Sequence, residues 1–333
     1  MLLVISKGFL LVDFDKISKQ LDLEISNILE VIQGGNSSVI KAKLRGNALI
    51  AVKIYKGEPS RIQRMLTREQ SAIRYLAEHN FHNIPEILEV RKDLGLIVYR
   101  WIEGEPPNPN AKCMEAIIEM CLALSNIDKE GSFENAIDAA FSIQDIESQI
   151  LERIYLLRSE HTDQFAKTIY LSLEEKLQKY KYIFNKKQKL FPYTISISDL
   201  GTHNMLYAND SFSFIDFEFF GRDSVDKMIG DFLLHPRNRF EQNEIVKFKE
   251  SISNKLGWQI ENLGFILPIL SLKWAAIAFK RELTELKIGS SNESIKLFSY
   301  TSRGMKYLEY FEYLISGGSV DSVSTFNLFT AKI

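Results

Sequence analysis

The stretch from Thr194 to Gly221 constrains the fold of this chain more than any other part of its sequence. It reads TISISDLGTHNMLYANDSFSFIDFEFFG. Two short runs of strand-forming residues, Met205–Tyr207 and Phe212–Ile215, flank the turn-forming residues Asn209–Ser211. This pattern predicts a β-hairpin that follows a polar loop and ends at an acidic residue.

Asp199, Asn204 and Asp216 follow one another along this stretch in an order that suits metal-assisted phosphoryl transfer. A hairpin centred on Asp210 would place Asn204 opposite Asp216, with their Cβ atoms about 4.5–5.5 Å apart. An amide oxygen and a carboxylate side by side can share one Mg²⁺, while Asp199 orients the attacking hydroxyl. In the alternative, Asn204 caps a turn and Asp216 is solvated, but an unpaired carboxylate within the apolar run FIDF is costly. We therefore predict a metal site at Asn204 and Asp216.

Two charged residues upstream lie inside apolar patterns. Lys53 is the cation in the middle of a strand-like run, Ala48–Tyr55, and a helix is predicted over Ser60–His79. Glu69 lies within the apolar stripe of that helix, where an unpaired charge would cost several kcal/mol. Each residue alone could be an ordinary surface side chain. Together they predict a partly buried ion pair between strand and helix.

A loop of small residues precedes this strand and is a candidate anion site. Gly34 and Gly35 allow backbone amides to approach an anion, and Asn36, Ser37 and Ser38 follow them, with the two serines adding hydroxyl donors. An ordinary hairpin loop would have the same composition. The chain contains neither a GxxxxGK[ST] nor a GxGxxG motif, which argues against a P-loop or Rossmann enzyme.

Taken in order, these motifs resemble the aminoglycoside phosphotransferase and choline kinase families, which are small-molecule kinases with a protein-kinase-like fold. The resemblance rests on GGNSS at 34–38, AVK ending at Lys53, REQSAIRYL around Glu69, LIVYRWIEG at 96–104, Asp199 with Asn204, and IDFE at 215–218. It runs in register from about Glu30 to His235. Each motif is short, and the set is specific.

The resemblance implies a role for each matching residue. Lys53 would grip the α- and β-phosphates of ATP, with Glu69 as its ion-pair partner. Asp199 would be the catalytic base, and Asn204 and Asp216 would hold Mg²⁺.

The resemblance also implies a hinge segment. The backbone of Arg100 to Ile102 would hydrogen-bond adenine, and Gly104 would end the hinge.

The chain departs from these families near its predicted base. Ile197 and Ser198 stand where the families usually carry His-Gly, and Gly201 stands where they often carry His. Leu124–Ser125 replaces a Leu-His pair. None of these positions performs the transfer itself, so the departures bear on the acceptor rather than on the chemistry. His203 is predicted to be a loop-packing residue rather than a ligand.

The expected fold class is α+β, a two-lobed protein-kinase-like fold. Residues 1–103 would form a nucleotide-binding lobe, a small antiparallel sheet with one helix. Residues 104–333 would form a larger, mainly helical lobe with the catalytic loop and the acceptor pocket, and the lobes would share a cleft. Helical patterns cover Ser148–Leu157, Leu173–Phe184, Asn243–Leu256, Glu261–Lys287 and Ser294–Ile315, and the apolar run Leu263–Phe279 is predicted to be a buried helix pair.

Composition indicates a cytoplasmic protein. The 333 residues carry a net charge of −2 with interspersed signs, so no nucleic-acid partner is expected. Cys113 and Cys121 are eight residues apart on a helical pattern, about 12 Å along the axis and too far for a disulfide. The N-terminus lacks the basic region of a signal peptide, and no membrane partner is expected. The sequence does not indicate an oligomeric state.

The leading functional hypothesis is an ATP:alcohol phosphotransferase that acts on a small hydroxylated molecule such as an amino sugar, aminoglycoside, sugar or amino alcohol. One alternative is a catalytically silent nucleotide-binding pseudokinase that regulates a partner. A protein kinase is the other, although no Ala-Pro-Glu motif follows Asp216. Glu282 and Glu285 could recognise a cationic acceptor, but charges on a helix more often form a solvated face.

Overall fold

The structure, a computed structural model, describes residues 23–127, 133–184, 192–286 and 302–320. The chain divides into two compact units. The first unit comprises the chain up to Glu105 together with Leu206–Glu218, and the second comprises Pro106–Met205 and the chain from Phe219 onward. The functional division predicted at residues 103 and 104 stays a prediction.

The first unit contains a five-stranded antiparallel sheet in the order β1-β2-β3-β5-β4. Its strands are β1 (Ile25–Gln33), β2 (Ser37–Leu44), β3 (Leu49–Tyr55), β4 (Ile87–Arg91) and β5 (Leu96–Arg100). Helix α1 (Pro59–Glu78) follows β3 and begins with Pro59, whose fixed φ suits the first helical position. The predicted helix over Ser60–His79 is therefore confirmed to within one residue at each end.

The alternation of side chains along β3 separates its apolar residues from Lys53. Ile50, Val52 and Ile54 lie on one face and join a buried cluster with residues of β2 and β5. Lys53 lies on the opposite face, because successive side chains of a strand point to opposite sides. The buried stripe of α1 includes Glu69, as its spacing predicts, together with Met65, Leu66, Ala72, Ile73 and Leu76.

The predicted hairpin is present, but its turn is shorter than expected. Strands β7 (Met205–Ala208) and β8 (Ser211–Phe214) pair with each other, and both turn residues, Asn209 and Asp210, have positive φ. Two successive residues with positive φ are typical of a two-residue type I′ turn. Asn204 ends a short 3₁₀ helix before β7, and Asp216 lies beyond β8 with φ +66°. The predicted pairing of Asn204 with Asp216 in this ladder is therefore wrong.

The second unit is mainly helical. Strands β6 (Tyr193–Ser196) and β9 (Gly221–Ser224) form a two-stranded antiparallel sheet. The helices found in the described part of this unit are α2 (Ala111–Ser125), α3 (Ile143–Glu160), α4 (Gln164–Phe184), α5 (Val225–Leu234), α6 (Gln242–Leu256), α7 (Leu263–Leu286) and α8 (Arg303–Ile315). Every predicted helix of this unit overlaps one of them. Residues 294–301 of the predicted last helix lie outside the described residues.

Helix α7 is one continuous helix, so the predicted helix pair over Leu263–Phe279 is wrong. Pro268 lies in the second turn, where the hydrogen bond it removes is close to the helix start and the helix continues past it. Its segment Leu263–Thr284 is long and apolar enough to cross a membrane by length and composition, but 72% of the apolar window is buried inside the protein. Helix α7 packs against α3, α4, α5 and α8 and forms the centre of the second unit.

The two cysteines lie on α2 as free, buried thiols. Burial raises the pKa of both Cys113 and Cys121 to about 12, so the thiols stay protonated.

Candidate active site

In the first unit, the ammonium group of Lys53 lies among three carboxylates. Its Nζ atom is 2.5 Å from Glu69 Oε2, 2.7 Å from Asp216 Oδ1 and 3.2 Å from Glu218 Oε2. The side chains of Lys53 and Glu69 are 5% and 1% exposed, so water cannot replace either partner. The ion pair predicted between Lys53 and Glu69 is confirmed.

The surroundings keep Lys53 charged. Burial alone would lower the pKa of Lys53, but the carboxylates of Asp216, Glu69 and Glu218 outweigh it and hold this pKa well above its ordinary value. The hydroxyl of Tyr55 donates a hydrogen bond to Glu69 Oε2. Tyr55 lies two residues from Lys53 on the same face of β3, so the strand itself positions both donors toward α1.

The three carboxylates, which we call the carboxylate cluster (Glu69, Asp216 and Glu218), carry more charge than Lys53 neutralises. Each can offer an oxygen within 4.8 Å of the others. Burial, followed by the charge of Asp216, raises the pKa of Glu218 to about 7. A crowded set of hard oxygen ligands with excess negative charge fits a divalent cation such as Mg²⁺. The sequence alone leaves open whether Glu218 joins the metal site.

The small-residue loop is a tight connection between β1 and β2. Gly34 donates its N–H to the carbonyl of Ser37 (2.9 Å), and Ser38 donates its hydroxyl to Gln33 Oε1 (2.7 Å). Ser37 and Ser38 belong to β2 rather than to the loop. Gly35 has no atoms within 4 Å of the position that a Cβ would take, so the loop is open on that side.

Asn36 ties this loop to the carboxylate cluster. Its Nδ2 donates to Glu218 Oε1 (2.7 Å), and its Oδ1 accepts from Arg61 Nη2 of α1 (3.1 Å). Through these two hydrogen bonds, Asn36 fixes the position of the loop within the first unit.

Only part of the predicted hinge can donate to a nucleobase. Arg100 gives its N–H to the carbonyl of Glu86 and pairs its guanidinium with the Glu86 carboxylate, at 3.0 Å and 2.6 Å. Trp101 gives its N–H to Leu49 O (3.1 Å). Within the stretch of chain that the structure describes, the N–H of Ile102 has no such partner. Ile102 is thus the predicted hinge residue that could donate to an adenine ring.

Asp199 lies in the second unit beside two imidazole rings. His235 Nε2 is 3.3 Å from Asp199 Oδ1, and His203 Nε2 is 3.6 Å from Asp199 Oδ2. Burial raises the pKa of Asp199, but the two imidazoles more than offset that effect and hold the pKa well below its ordinary value. The carboxylate is therefore ionised, and 35% of its side chain stays exposed.

The segment after α5 pins the loop that carries Asp199. Asn238 Nδ2 donates to Leu200 O (2.9 Å), and Asn238 Oδ1 accepts from Thr202 N (3.1 Å). Thr202 also donates its hydroxyl to Arg237 O (3.0 Å). Three polar contacts from one short segment fix the loop backbone on both sides of Gly201.

Asn204 presents its oxygen. The side-chain Nδ2 of Asn204 donates to the carbonyl of Asp199 (3.0 Å), and this contact leaves Oδ1 as the end that can ligate a cation. The residue is buried, so the amide orientation is fixed by the loop itself.

The structure explains one departure from the resembling families in this loop, Gly201, but gives no reason for serine at 198. Ser198, where glycine is usual, adopts φ +65°, and its N–H donates to Ser196 Oγ (2.9 Å). A Cβ atom at Gly201 would overlap His203 Nδ1 and lie 2.8 Å from His235 Cε1. Glycine at 201 therefore makes room for the two imidazoles.

No sequence pattern points to His235, and both roles considered for Glu282 are wrong. His203 does pack in the loop, as expected, by stacking on His235 with ring centroids 4.8 Å apart. Glu282 is buried and is neither a solvated charge nor open to a cationic acceptor, because it accepts from Ser302 Oγ and from the N–H of Arg303, both at 2.6 Å. Glu282 therefore caps the start of α8. The side chain of Glu285 lies outside the described residues.

Comparison with known proteins identifies the fold. No protein-family model matches the chain, and neither does any curated protein sequence. A choline kinase from Cryptosporidium parvum Iowa II superposes with a TM-score of 0.61 at 14% identity, over 94% of this chain and 99% of its own. A spectinomycin phosphotransferase solved with ADP and spectinomycin superposes with a TM-score of 0.58 at 14% identity, over 95% and 98%. A choline/ethanolamine kinase family protein from Mesorhizobium loti gives 0.57 at 14% identity, over 95% and 99%.

These identities are low, and the likeness is one of fold. It extends over nearly the full length of each compared chain. The chain therefore has the protein-kinase-like fold of the aminoglycoside phosphotransferases and choline kinases, the families that its motifs resemble.

Proposed function

We propose that this chain is an ATP-dependent phosphotransferase that moves the γ-phosphoryl group to a hydroxyl of a small molecule. The observation that carries the proposal is the buried, charged Lys53 held by Glu69 beside two further carboxylates. A fixed ammonium next to a cation-binding set is the arrangement that phosphoryl transfer requires, since catalysis there consists mainly of positioning and charge stabilisation.

Lys53 binds the nucleotide phosphates in this proposal. Glu69, which also accepts from the Tyr55 hydroxyl, holds the lysine side chain in one orientation, so little conformational entropy is lost when phosphates bind. The N–H of Ile102 would donate to adenine, and the loop at Gly34 and Gly35 would lie against the phosphates.

Asp216 and Asn204 would hold Mg²⁺, with Glu218 as a further oxygen ligand. An ion held there would neutralise negative charge on the nucleotide phosphates. Asp216 Oδ1 accepts a hydrogen bond from Lys53, and the side chain of Asp216 is 33% exposed. Glu218 is held by Asn36, so a nucleotide that moved the loop would also move this carboxylate.

Asp199 would orient the acceptor hydroxyl and receive its proton. The low pKa of Asp199 makes it a weak base, so it acts by position more than by basicity. A loose phosphoryl-transfer transition state needs little proton removal before bond formation begins, so a weak but well-placed carboxylate suffices.

The acceptor class is a small hydroxylated molecule such as an amino sugar, aminoglycoside, sugar or amino alcohol. The fold supports this class, because the compared structures include a spectinomycin phosphotransferase and choline kinases. The decisive experiment is ADP release from the purified protein with MgATP across a panel of such compounds. Phosphorylation of a protein and of no small molecule would overturn the proposal, and MgATP binding without any turnover would favour a silent nucleotide-binding module.

The metal assignment predicts a specific loss. Asp216→Ala should abolish Mg²⁺-dependent ATP binding in calorimetry, because it removes a proposed ligand and one of the three carboxylates next to Lys53. The matched control is Asp93→Ala, which changes an exposed aspartate of the same unit that pairs with Arg91. Unchanged MgATP affinity in Asp216→Ala would refute the assignment.

The base assignment predicts that binding and turnover separate. Asp199→Asn keeps the shape of the side chain, so ATP should still bind, whereas turnover with a confirmed acceptor should fall by roughly 10²–10⁴. Turnover at the wild-type rate would show that the base lies elsewhere.

A further inference from the structure

We propose that His235 is a positioning residue that donates its Nε2–H to Asp199 and fixes the orientation of that carboxylate. The effect of His235 on turnover rests on the proposed function, whereas its contact with Asp199 does not depend on that function. His235 lies in the segment that follows α5, and no sequence motif includes it.

The backbone determines which ring nitrogen of His235 carries the proton. The N–H of Arg237 donates to His235 Nδ1 (3.2 Å), so Nδ1 acts as the acceptor. In a neutral imidazole the proton is then on Nε2. That nitrogen lies 3.3 Å from Asp199 Oδ1. The arrangement is a short relay in which a backbone amide orients the imidazole and the imidazole orients the carboxylate.

Packing on three sides holds the ring of His235. The ring makes a T-shaped contact with Trp274 of α7, at a centroid distance of 5.3 Å and an interplanar angle of 89°. His203 stacks on its face, nearly parallel at 8°. The third side is the bare backbone of Gly201, where any Cβ would lie 2.8 Å from His235 Cε1. Because His235 is buried, the ring has few alternative orientations.

The two histidines differ in what they can fix. His203 lies further from the carboxylate, at 3.6 Å, and its Nδ1 has no hydrogen-bond partner among the residues that the structure describes. Its tautomer is therefore not set by a neighbour. Asp199 Oδ1 is the oxygen held by His235, and Oδ2 is the freer oxygen, the one suited to accept the proton of an acceptor hydroxyl.

Asp199, His203 and His235 also have the composition of a metal site, since they offer three ligand atoms within 4.8 Å. A histidine that ligates a metal through Nε2 needs a lone pair there, and its Nδ1–H then donates to an outer acceptor. His235 has the reverse pattern, because its Nδ1 accepts from Arg237. The geometry thus favours hydrogen bonding to Asp199 over metal binding.

The kinetic test compares two substitutions at one position. His235→Phe keeps a ring of similar size but removes the donor, and we expect kcat to fall by about 10- to 100-fold while KM for ATP stays within about twofold. His235→Gln restores an N–H donor the same number of bonds from Cα and should recover most of the loss. The acceptor is the compound found in the panel or, failing one, water in slow ATP hydrolysis.

The control is the same change elsewhere, His82→Phe, at an exposed histidine of the first unit. This variant should retain wild-type kcat. If His235 had only a packing role, Phe would be tolerated better than Gln and rescue by Gln would fail. That result would overturn the proposal.

A spectroscopic test decides the contact without any enzyme assay. In protein labelled with ¹⁵N-histidine, long-range ¹H–¹⁵N spectra should show His235 as the Nε2–H tautomer at neutral pH, assigned by its loss in His235→Gln. The Nε2–H proton should be protected from solvent exchange, and Asp199→Ala should remove that protection. A proton found on Nδ1, or no change in Asp199→Ala, would overturn the proposal. If no compound is phosphorylated and these signals are present, the proposed function fails while the contact stands.

Discussion

Lys53 and Glu69 lose nearly all of their hydration when the first unit folds, and each loss costs several kcal/mol. Their mutual contact, the Tyr55 hydroxyl and the carboxylate of Asp216 offset that cost. Removal of the cation alone would leave the buried Glu69 facing Asp216 and Glu218, with no positive charge among them. Removal of one partner should therefore lower the free energy of unfolding by more than the intact ion pair contributes to it.

This sensitivity gives a stability prediction. Lys53→Met should lower the free energy of unfolding by about 3–5 kcal/mol at pH 8, the usual cost of a buried charge left without its partner. The deficit should shrink at lower pH, because protonation relieves the unpaired carboxylates. The control Lys92→Met, at an exposed lysine of the same unit, should stay within about 0.5 kcal/mol in urea unfolding. An effect below 1 kcal/mol at Lys53 would contradict the buried-pair description.

Residue patterns predict one half of the site better than the other. Lys53 and Glu69 could be paired from the sequence because each interrupts an apolar pattern, and their ion pair is confirmed. The contact of His235 with Asp199 could not be predicted from the sequence, because it depends on a tertiary fold that brings the segment after α5 onto the loop that carries Asp199. The roles assigned to Arg100, Ile102 and the Gly34–Ser38 loop stay predictions.

At the scale of elements, α7 and α8 approach each other closely at one glycine. A Cβ atom at Gly304 would overlap the ring of Phe279, which is fully buried on α7. Gly264, also helical and in the first turn of α7, has nothing within 4 Å of its Cβ position. Gly304 is therefore required for packing, whereas at Gly264 only the low helix propensity of glycine matters.

The same substitution should therefore have opposite effects. Gly304→Ala should destabilise the protein by about 1–3 kcal/mol, because the buried phenyl ring cannot move aside without strain. Gly264→Ala should be neutral or stabilise the protein by up to about 1 kcal/mol, because alanine has the higher helix propensity and lowers the conformational entropy of the unfolded chain. Thermal and urea unfolding of both variants would measure this. A stabilising Gly304→Ala would show that the two helices can separate at little cost.

Elements were predictable where periodicity was long and uninterrupted. The pattern located α1 and α6 almost to the residue, at Pro59–Glu78 and Gln242–Leu256. Helix α4 begins at Gln164 rather than at the expected Leu173, because Asp163 accepts from the N–H of Ala166 and caps an earlier start. The hairpin register was wrong because the length of a turn depends on backbone conformation, which composition alone does not determine.

At the scale of the whole molecule, the net charge of −2 conceals a balanced cluster inside the second unit. Lys227 Nζ lies 2.6 Å from Asp223 and 3.1 Å from Asp231, and Lys273 Nζ lies 2.8 Å from Asp231. Asp138 and Arg153 add a further pair at 2.9 Å. Three acids and three bases thus link β9, α3, α5 and α7. Asp223, Asp231, Lys227 and Lys273 are buried and their charges balance, so none of these four can be neutralised without leaving an excess charge in the interior.

Asp231 makes this balance visible as a dependence of stability on pH. Burial alone would raise the pKa of Asp231, but the charges of Lys273 and Lys227 outweigh this effect and lower the pKa to about 2. Since this folded-state pKa lies below the unfolded value of about 3.9, ionised Asp231 contributes about 2–3 kcal/mol of stability at neutral pH. The contribution is complete above about pH 4 and is lost as the pH falls toward 2.

Asp231→Asn tests this linkage. The variant should be less stable than the wild type by at least about 2–3 kcal/mol at pH 7, because Lys227 and Lys273 keep one counter-charge fewer. The gap should narrow below about pH 4, because Asp231 then begins to be protonated in the unfolded wild-type chain while it stays ionised in the folded protein. Urea unfolding at pH 7, 5, 4 and 3.5 would measure the gap, with Asp93→Asn at the surface as a control that should stay within about 0.5 kcal/mol throughout. A stability difference that is constant from pH 7 to 3.5 would show that the pKa of Asp231 is the same in the folded and unfolded states. The contacts of Asp231 with Lys227 and Lys273 would then not stabilise the second unit.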